Sequence, residues 1–512
     1  MNNNKRYFLF LMTLSLFSCT KLDESFRSDL AESNNNDIKA SQLLLGAYNS
    51  IAGPFQGNAD LWALQTLSTD EGIPPTRAGD WDDNGAWRAV SSKTWNADLA
   101  QVRGQFEQLL ATQFSASNVL QYNPSAQEAA EARFIRALSM YWTVDGYDQV
   151  PYREDLQDYK LLPITLKGME AVDFIISELT AIMNDLPATG PAYTASKNAA
   201  KALLMKIYLN KGVYANRATP TFAAEDMNKV VALADEIVAS GRYSLSSNYF
   251  DNFSPDNHLK STENILTFLN DPAANRGGNV RGFAFMVQHY NQNPSGWNGF
   301  ATLSDFYDKF EATDQRRGVA YSYPGGPANP GKRVNVGFML GQQYDLVTDA
   351  PLKARNPADK PLVFTRDVKL VETDPATLEL TGIRPNKYAY DYGTPGDQKN
   401  NDFAVFRLAD VLLMKAEALL RTSNAAAGLT LVNSIRQKRG AADLATLTLD
   451  NLLDERGREL YWEGYRRQDQ IRFGKYLLAY QNKPAAPAHT LIFPIPSSQI
   501  AVNPNLTQNP GY

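Results

Sequence analysis

Apolar positions recur at helical spacing through both ends of the chain and lose that spacing in the middle. Near Ile38, residues Leu43, Leu44, Ala47, Tyr48 and Ile51 share one face, which predicts a helix. The same period predicts helices over 101–122, Gln127–Val144, 167–186, 197–211 and 225–240, with Gly212 and Gly241 as closing caps. It returns at Phe403–Leu420, Ala425–Arg439, Leu449–Trp462 and Gln468–Tyr480. Within Asn198–Leu209 the alanines fall at positions where two helices can approach closely. Between about 245 and 400 the pattern is irregular, rich in Gly, Pro, Asn and aromatics; Glu263–Phe268 (ENILTF) alternates like a short strand. The C-terminal FPIPSSQIAVNPNLTQNPGY reads as an extended strap. The expected fold is mainly α, with tetratricopeptide-like helical hairpins over about 38–245 and 401–482, a loop-rich insertion with short strands over about 246–400, and a strap over 483–512.

The N-terminus has a different pattern. Lys5 and Arg6 precede an apolar run, Tyr7–Phe17, too short to span a bilayer, and Leu16-Phe17-Ser18 leads into Cys19. This predicts a lipoprotein signal over 1–18, with Cys19 taking the lipid, although Phe17 is bulkier than the small residue usual there. Residues 19–37 are polar and acidic and read as a tether. An ordinary secretory signal with an incidental cysteine is the competing reading.

Cys19 is the only cysteine, so neither disulfides nor a thiolate metal site are expected in the body. Net charge is −5 with both signs mixed, which excludes a basic nucleic-acid face. HExxH, P-loop, GxGxxG and G-x-S-x-G patterns are absent, and the three histidines are scattered. No cofactor or metal is expected. Paired carboxylates among loop acids would need no local motif, so a glycosidase remains open.

Three longer segments carry a family resemblance: NDFAVFRLADVLLMKAEALL, LLDERGRELYWEGYRRQDQIRFGKY and the closing FPIPSSQIAVNPNLTQNPGY. They resemble the SusD/RagB family of outer-membrane, surface-exposed nutrient-binding lipoproteins of Bacteroidetes. AEARFIRALSMYW, YDQVPY and SGRYSLSSNYFDNFSPDN resemble it more loosely. Ala404 stands where the family usually has proline, and Gln468 and Gln470 replace residues more often aromatic or apolar. The resemblance implies a lid over a SusC-like TonB-dependent barrel that captures oligosaccharides without breaking bonds; peptide is the alternative cargo. In DERGREL and RQDQIR the charges read as a salt-bridged helix face, with exposed pairs worth ~0.3–0.5 kcal/mol each.

A sugar offers CH faces and a rim of hydroxyls, so its site needs aromatic platforms beside hydrogen-bonding side chains. The segment 60–99 reads as a loop carrying exposed aromatics. It supplies Asp70, Arg77, Trp81, Asp82, Asn84, Trp87, Arg88 and Trp95 as ligand candidates, and the family resemblance implies that part of the site lies in this loop. Tyr290, Asn291 and Trp297 in the insertion are second candidates. Burial beneath the loop is the competing reading for its tryptophans. Trp62, Trp142 and Trp462 lie in helical patterns and are assigned to the core.

Overall fold

The computed structural model describes residues 38–153, 156, 161–274, 276, 281–327, 333–396 and 398–512. Cys19, its signal and the tether lie outside the described residues. Eight principal helices come first: α1 (Ala40–Gln56), α2 (Leu61–Leu67), α3 (Ala86–Ser92), α4 (Ala100–Val119), α5 (Ala126–Tyr147), α6 (Met169–Ala181), α7 (Lys197–Ala215) and α8 (Ala224–Ala239). Four more close the chain: α9 (Leu408–Arg421), α10 (Ala425–Lys438), α11 (Leu449–Leu460) and α12 (Arg466–Arg472). The fold is mainly α, as the periodicity and the resemblance imply.

Neighbouring helices stack in sequence: α1 on α4, α4 on α5, α5 on α6, α6 on α7 and α7 on α8. The stack then passes from α8 directly to α9, which also packs α10 and α11. Residues 240–407 are therefore inserted between two consecutive layers of one helical stack. Small residues permit the spacing. Ala199, Ala200 and Ala202 are buried on α7, and a Cβ on Gly428 of α10 would sit 2.9 Å from the Ala416 carbonyl of α9. Ser125 starts α5 with a capping box, accepting from the Glu128 amide while Glu128 accepts from the Ser125 amide.

Three expectations about local structure are corrected. Gly212 lies inside α7, where a Cβ would fall 1.6 Å from the Thr221 carbonyl oxygen; it serves a close chain approach and not a cap. Gly241 does follow α8 with φ +64°, the left-handed geometry a C-terminal glycine supplies. Phe403–Arg407 is a strand, paired antiparallel with the strand Asn264–Phe268, and the helix begins only at Leu408. Its FAVF run is buried throughout, so burial on both faces outweighs the apparent helical period. Gln468–Tyr480 stops being helical at Arg472 because Gly474 turns left-handed, at φ +68°.

The charged motif differs most from its expectation. Glu455, Arg456, Glu459, Asp469 and Arg472 are all buried. The i,i+3 pairs Glu455–Arg458 and Asp469–Arg472 do form, but inside the protein. Glu459 accepts from Arg316, Arg407 and Arg439; Arg407 and Arg439 also reach Glu263, and Glu463 binds Arg407 and Lys387. Residues from the insertion and from α10 and α11 thus meet in one ion network. Sequence spacing showed only the intrahelical half of it.

The C-terminal strap lies against the helices and is extended apart from a single turn at Ala488–Leu491 and, contrary to its expectation, a short helix at Ser497–Val502. The Phe493 amide donates to Gly146 O at 2.8 Å, and Asn509 Nδ2 donates to Tyr147 O and Phe493 O.

Candidate functional site

The loop after α2 is pinned first by backbone. Ile73 and Ala301 exchange amide–carbonyl hydrogen bonds of 2.8 and 3.0 Å, and the Thr76 and Ala78 amides donate to Leu370 O and Glu372 O. The chain then turns at Arg77, Ala78, Asp83 and Asn84, all with positive φ. Short helical segments replace the expected open loop, and most of its large side chains point inward.

Arg77 is buried and has no carboxylate partner among the described residues. Its fork donates instead to Gly299 O from Nε (3.3 Å) and Nη2 (3.2 Å), to Leu378 O (2.5 Å), to Thr381 O (2.9 Å) and to the Thr381 hydroxyl. Burial lowers its pKa to about 10, leaving it charged at neutral pH. One guanidinium therefore ties the first loop to the 289–300 loop of the insertion.

The two tryptophan segments meet directly above it. Trp81 donates from Nε1 to Trp297 O at 2.9 Å, with ring centroids 6.3 Å apart. Phe300 supports Trp81 at 4.7 Å and Trp87 at 5.0 Å. A Cβ on Gly299 would lie 2.4 Å from the Trp81 ring, so the packing requires glycine there. Trp87 donates to Asp83 Oδ2 at 2.5 Å. Of these rings only Trp297 is open to solvent, 38% exposed against 9% for Trp81 and 3% for Trp87.

The same two loops also carry polar pairs. Arg88 forms a bidentate pair with Asp82 (2.5 and 3.1 Å), which lowers the Asp82 pKa through hydrogen bonding. Tyr290 donates to Asp80 Oδ2 at 3.1 Å, and the Arg355 guanidinium lies 3.7 Å from the Tyr290 ring centre. Asn291 Nδ2 donates to Lys353 O at 2.9 Å. Beneath them, His289 is buried. Its Nδ1 accepts from the Asn291 amide (3.0 Å), so the proton sits on Nε2, which donates to Glu379 Oε2 at 2.8 Å. Burial draws the His289 pKa down to about 4, keeping the ring neutral.

The sequence candidates thus separate into three groups. Trp297, Tyr290, Asn291, Asp82 and Arg88 stay exposed or half-buried on the two loops that Trp81–Trp297 and Tyr290–Asp80 join, and Asn84 occupies an exposed turn of the first of these loops. Trp81, Trp87 and Arg77 are buried supports of that surface, not open ligand contacts. Asp70 and Trp95 differ from their expectation more completely. Asp70 is gripped by Arg466 (2.7 and 2.7 Å) and Gln470 (2.7 Å), while Trp95 packs on Phe493 and donates to the Tyr512 hydroxyl at 2.7 Å. The helical segments of this stretch are short, and its aromatics anchor them to distant parts of the chain. Trp62, Trp142 and Trp462 are buried as assigned.

The insertion and the C-terminal helices also match a known family: the sequence model of the SusD family aligns with residues 234–512. The chain belongs to the SusD family. It is 26% identical to the starch-binding protein SusD of Bacteroides thetaiotaomicron over 481 residues, covering 84% of this chain and 82% of that protein. The fold of this SusD-family chain is shared with a laminarin-binding SusD-like protein, at TM-score 0.68 and 20% identity over 92% of this chain and 99% of that one. It is shared too with surface glycan-binding protein A from Bacteroides thetaiotaomicron in complex with laminarihexaose, at TM-score 0.63 and 17% identity, covering 92% and 98%.

Sequence reasoning missed four residues at this surface. Phe285 lies 6.1 Å from Trp297 and 5.9 Å from Tyr390, and Tyr390 lies 4.9 Å from Tyr392, which donates to Asn293 O. These rings extend the aromatic row, and Arg355 caps Tyr290. The alternating tyrosines of KYAYDYG (387–393) were the available signal for two of them.

Proposed function

We propose that this chain is a cell-surface glycan-binding lipoprotein, anchored through Cys19 in the outer membrane, that delivers captured oligosaccharides to a SusC-like TonB-dependent transporter. The observation that carries the glycan reading is the exposed Trp297 ring. Its backbone carbonyl accepts from Trp81, and the two loops that meet there also carry Tyr290, Asn291, Arg88 and Asp82, with Arg355 stacked on Tyr290. An aromatic face with fixed hydrogen-bonding groups around it suits a sugar ring, and the starch- and laminarin-binding relatives support the same cargo.

The site reads as a binder rather than an enzyme. Asp80, Asp82 and Asp83 are each held by a donor, from Tyr290, Arg88 and Trp87 respectively. Asp82 has its pKa lowered, the reverse of what a general acid needs.

Affinity electrophoresis of the chain beginning after Cys19, against plant, fungal and host polysaccharides, tests the reading. Retardation by one polymer, lost in Trp297→Ala, is the expected result. Retardation by none, with peptide binding in its place, overturns the glycan assignment; release of reducing ends by purified protein overturns the non-catalytic one.

A further inference from the structure

A groove of about 680 Å³ opens beside the Trp297 surface, and its lining includes Phe338 and Met339 of the strand Val336–Met339. We propose that it is a second subsite for the same oligosaccharide, taking neutral sugar residues beyond those stacked on Trp297. The proposal rests on the glycan-binding reading above.

Its chemistry matches that of the first surface. Tyr344 supplies an aromatic ring, with the Arg333 guanidinium 3.2 Å from its centre and Arg333 paired in turn to Asp349. Gln342 Nε2 donates to Gln343 O (2.7 Å) and Leu352 O (2.9 Å), and Gln343 Nε2 donates to Gly341 O (3.0 Å). Backbone carbonyls can only accept, so these bonds orient both amides. Each Oε1 is left without a hydrogen-bond partner among the described residues. Two oriented acceptors beside an aromatic ring suit sugar hydroxyls. The charges are matched within the groove, since Arg333 is already bound by Asp349, and this favours a neutral sugar over a uronic acid.

The groove and the Trp297 surface share a wall. Asn291, on the surface, bonds the Lys353 carbonyl; Gln342, in the groove, bonds the carbonyl of Leu352, the preceding residue. Consecutive carbonyls of an extended segment face opposite sides, only ~3.3 Å apart along the chain. Gln292 belongs to both places. It accepts from the His289 amide within the Tyr290–Trp297 loop and points its Nε2 at Met339 Sδ in the groove, 3.7 Å away. A ligand longer than one or two sugars on Trp297 meets this groove next.

The test is a titration followed by NMR, using the chain after Cys19 with 13C-methyl methionine and 15N-labelled tryptophan. The probes are maltohexaose, laminarihexaose, cellohexaose and mannohexaose, with their disaccharides. Met339→Leu and Trp297→Phe assign the two reporter signals. The expected result is one hexasaccharide shifting the Met339 methyl and the Trp297 indole with a common Kd, while its disaccharide shifts Trp297 alone. Tyr344→Ala, or Gln343→Leu if that variant fails to fold, should weaken the hexasaccharide about 3- to 10-fold and leave the disaccharide unchanged. A hexasaccharide that shifts Trp297 but not Met339, or that binds both variants as tightly as wild type, overturns the groove proposal alone. A Met339 shift without a Trp297 shift overturns the Trp297 reading and with it the groove as a second subsite of the same ligand. No shift at either reporter with any probe overturns both.

Discussion

Replacing Glu459 by glutamine tests whether the buried ion network holds the insertion onto the helical stack. Glu459 Oε1 accepts from Arg407 Nη1 (3.0 Å) and Arg439 Nη2 (2.8 Å); Oε2 accepts from Arg316 Nη1 (3.0 Å) and Arg439 Nε (3.1 Å). A glutamine of the same shape keeps one pair of these bonds but turns an NH₂ towards the other two donors. It also removes the negative charge around which three guanidiniums are arranged, at a site buried from solvent. Their attraction outweighs the burial cost and depresses the Glu459 pKa far below the usual carboxylate range. Losing one partner from a buried ion pair costs about 3–5 kcal/mol. Against a total stability on the order of 5–15 kcal/mol, that is a large fraction. Urea unfolding at pH 7.5, followed by tryptophan fluorescence, should show the midpoint falling at constant slope. Glu225→Gln, which removes the exposed i,i+4 partner of Lys229, is the control and should leave the midpoint in place. A Glu459→Gln loss below about 1 kcal/mol would refute the argument, because the network would then contribute no more than a surface pair.

Three further outcomes are expected. Gly212→Ala places a methyl 1.6 Å from Thr221 O and should destabilise by about 1–3 kcal/mol or more, read as a lower Tm, whereas Gly241→Ala, with nothing within 4 Å, pays only for its φ of +64°. Trp81→Phe removes the Nε1 bond to Trp297 O and should weaken glycan affinity roughly 3- to 10-fold by calorimetry; unchanged affinity would show that the Trp297 backbone needs no such support. Burial raises the Glu71 pKa to about 8, so between the unfolded value of ~4.3 and about 8 the folded state holds a proton that the unfolded state has lost. Stability from this group is therefore full below about pH 4.3 and declines as pH rises to 8. Subtracting the Glu71→Gln profile from wild type isolates it from His289 and from Asp402, whose carboxyl burial pushes up to about 7, and a flat difference would contradict the burial argument.

The helical stack is legible in the sequence because a 3.6-residue apolar period is a local property, read within one or two turns. The strand at Asn264–Phe268 is legible for the same reason. Phe403–Arg407 is not: its run of buried residues fits either helix or strand, and only pairing with Asn264–Phe268 decides between them. The DERGREL charges show a similar limit. Their spacing determines that Arg458 can reach Glu455, yet Arg316, Arg407 and Arg439 arrive from distant segments, and burial depends on that arrival.

At the candidate site, composition determined which segments are rich in aromatic and polar side chains. It could not determine which tryptophan stays outside. Trp81, Trp87, Trp95 and Trp297 sit in similar Gly- and Asp-rich surroundings, and exposure is settled by what covers each ring. Phe300 and Trp297 cover Trp81, Phe493 and Tyr512 cover Trp95, and Trp297 keeps an open face. Those covering groups come from more than 200 residues away in sequence. Chain chemistry selects the residue types that can meet a sugar, whereas long-range packing selects the ring that remains open to one.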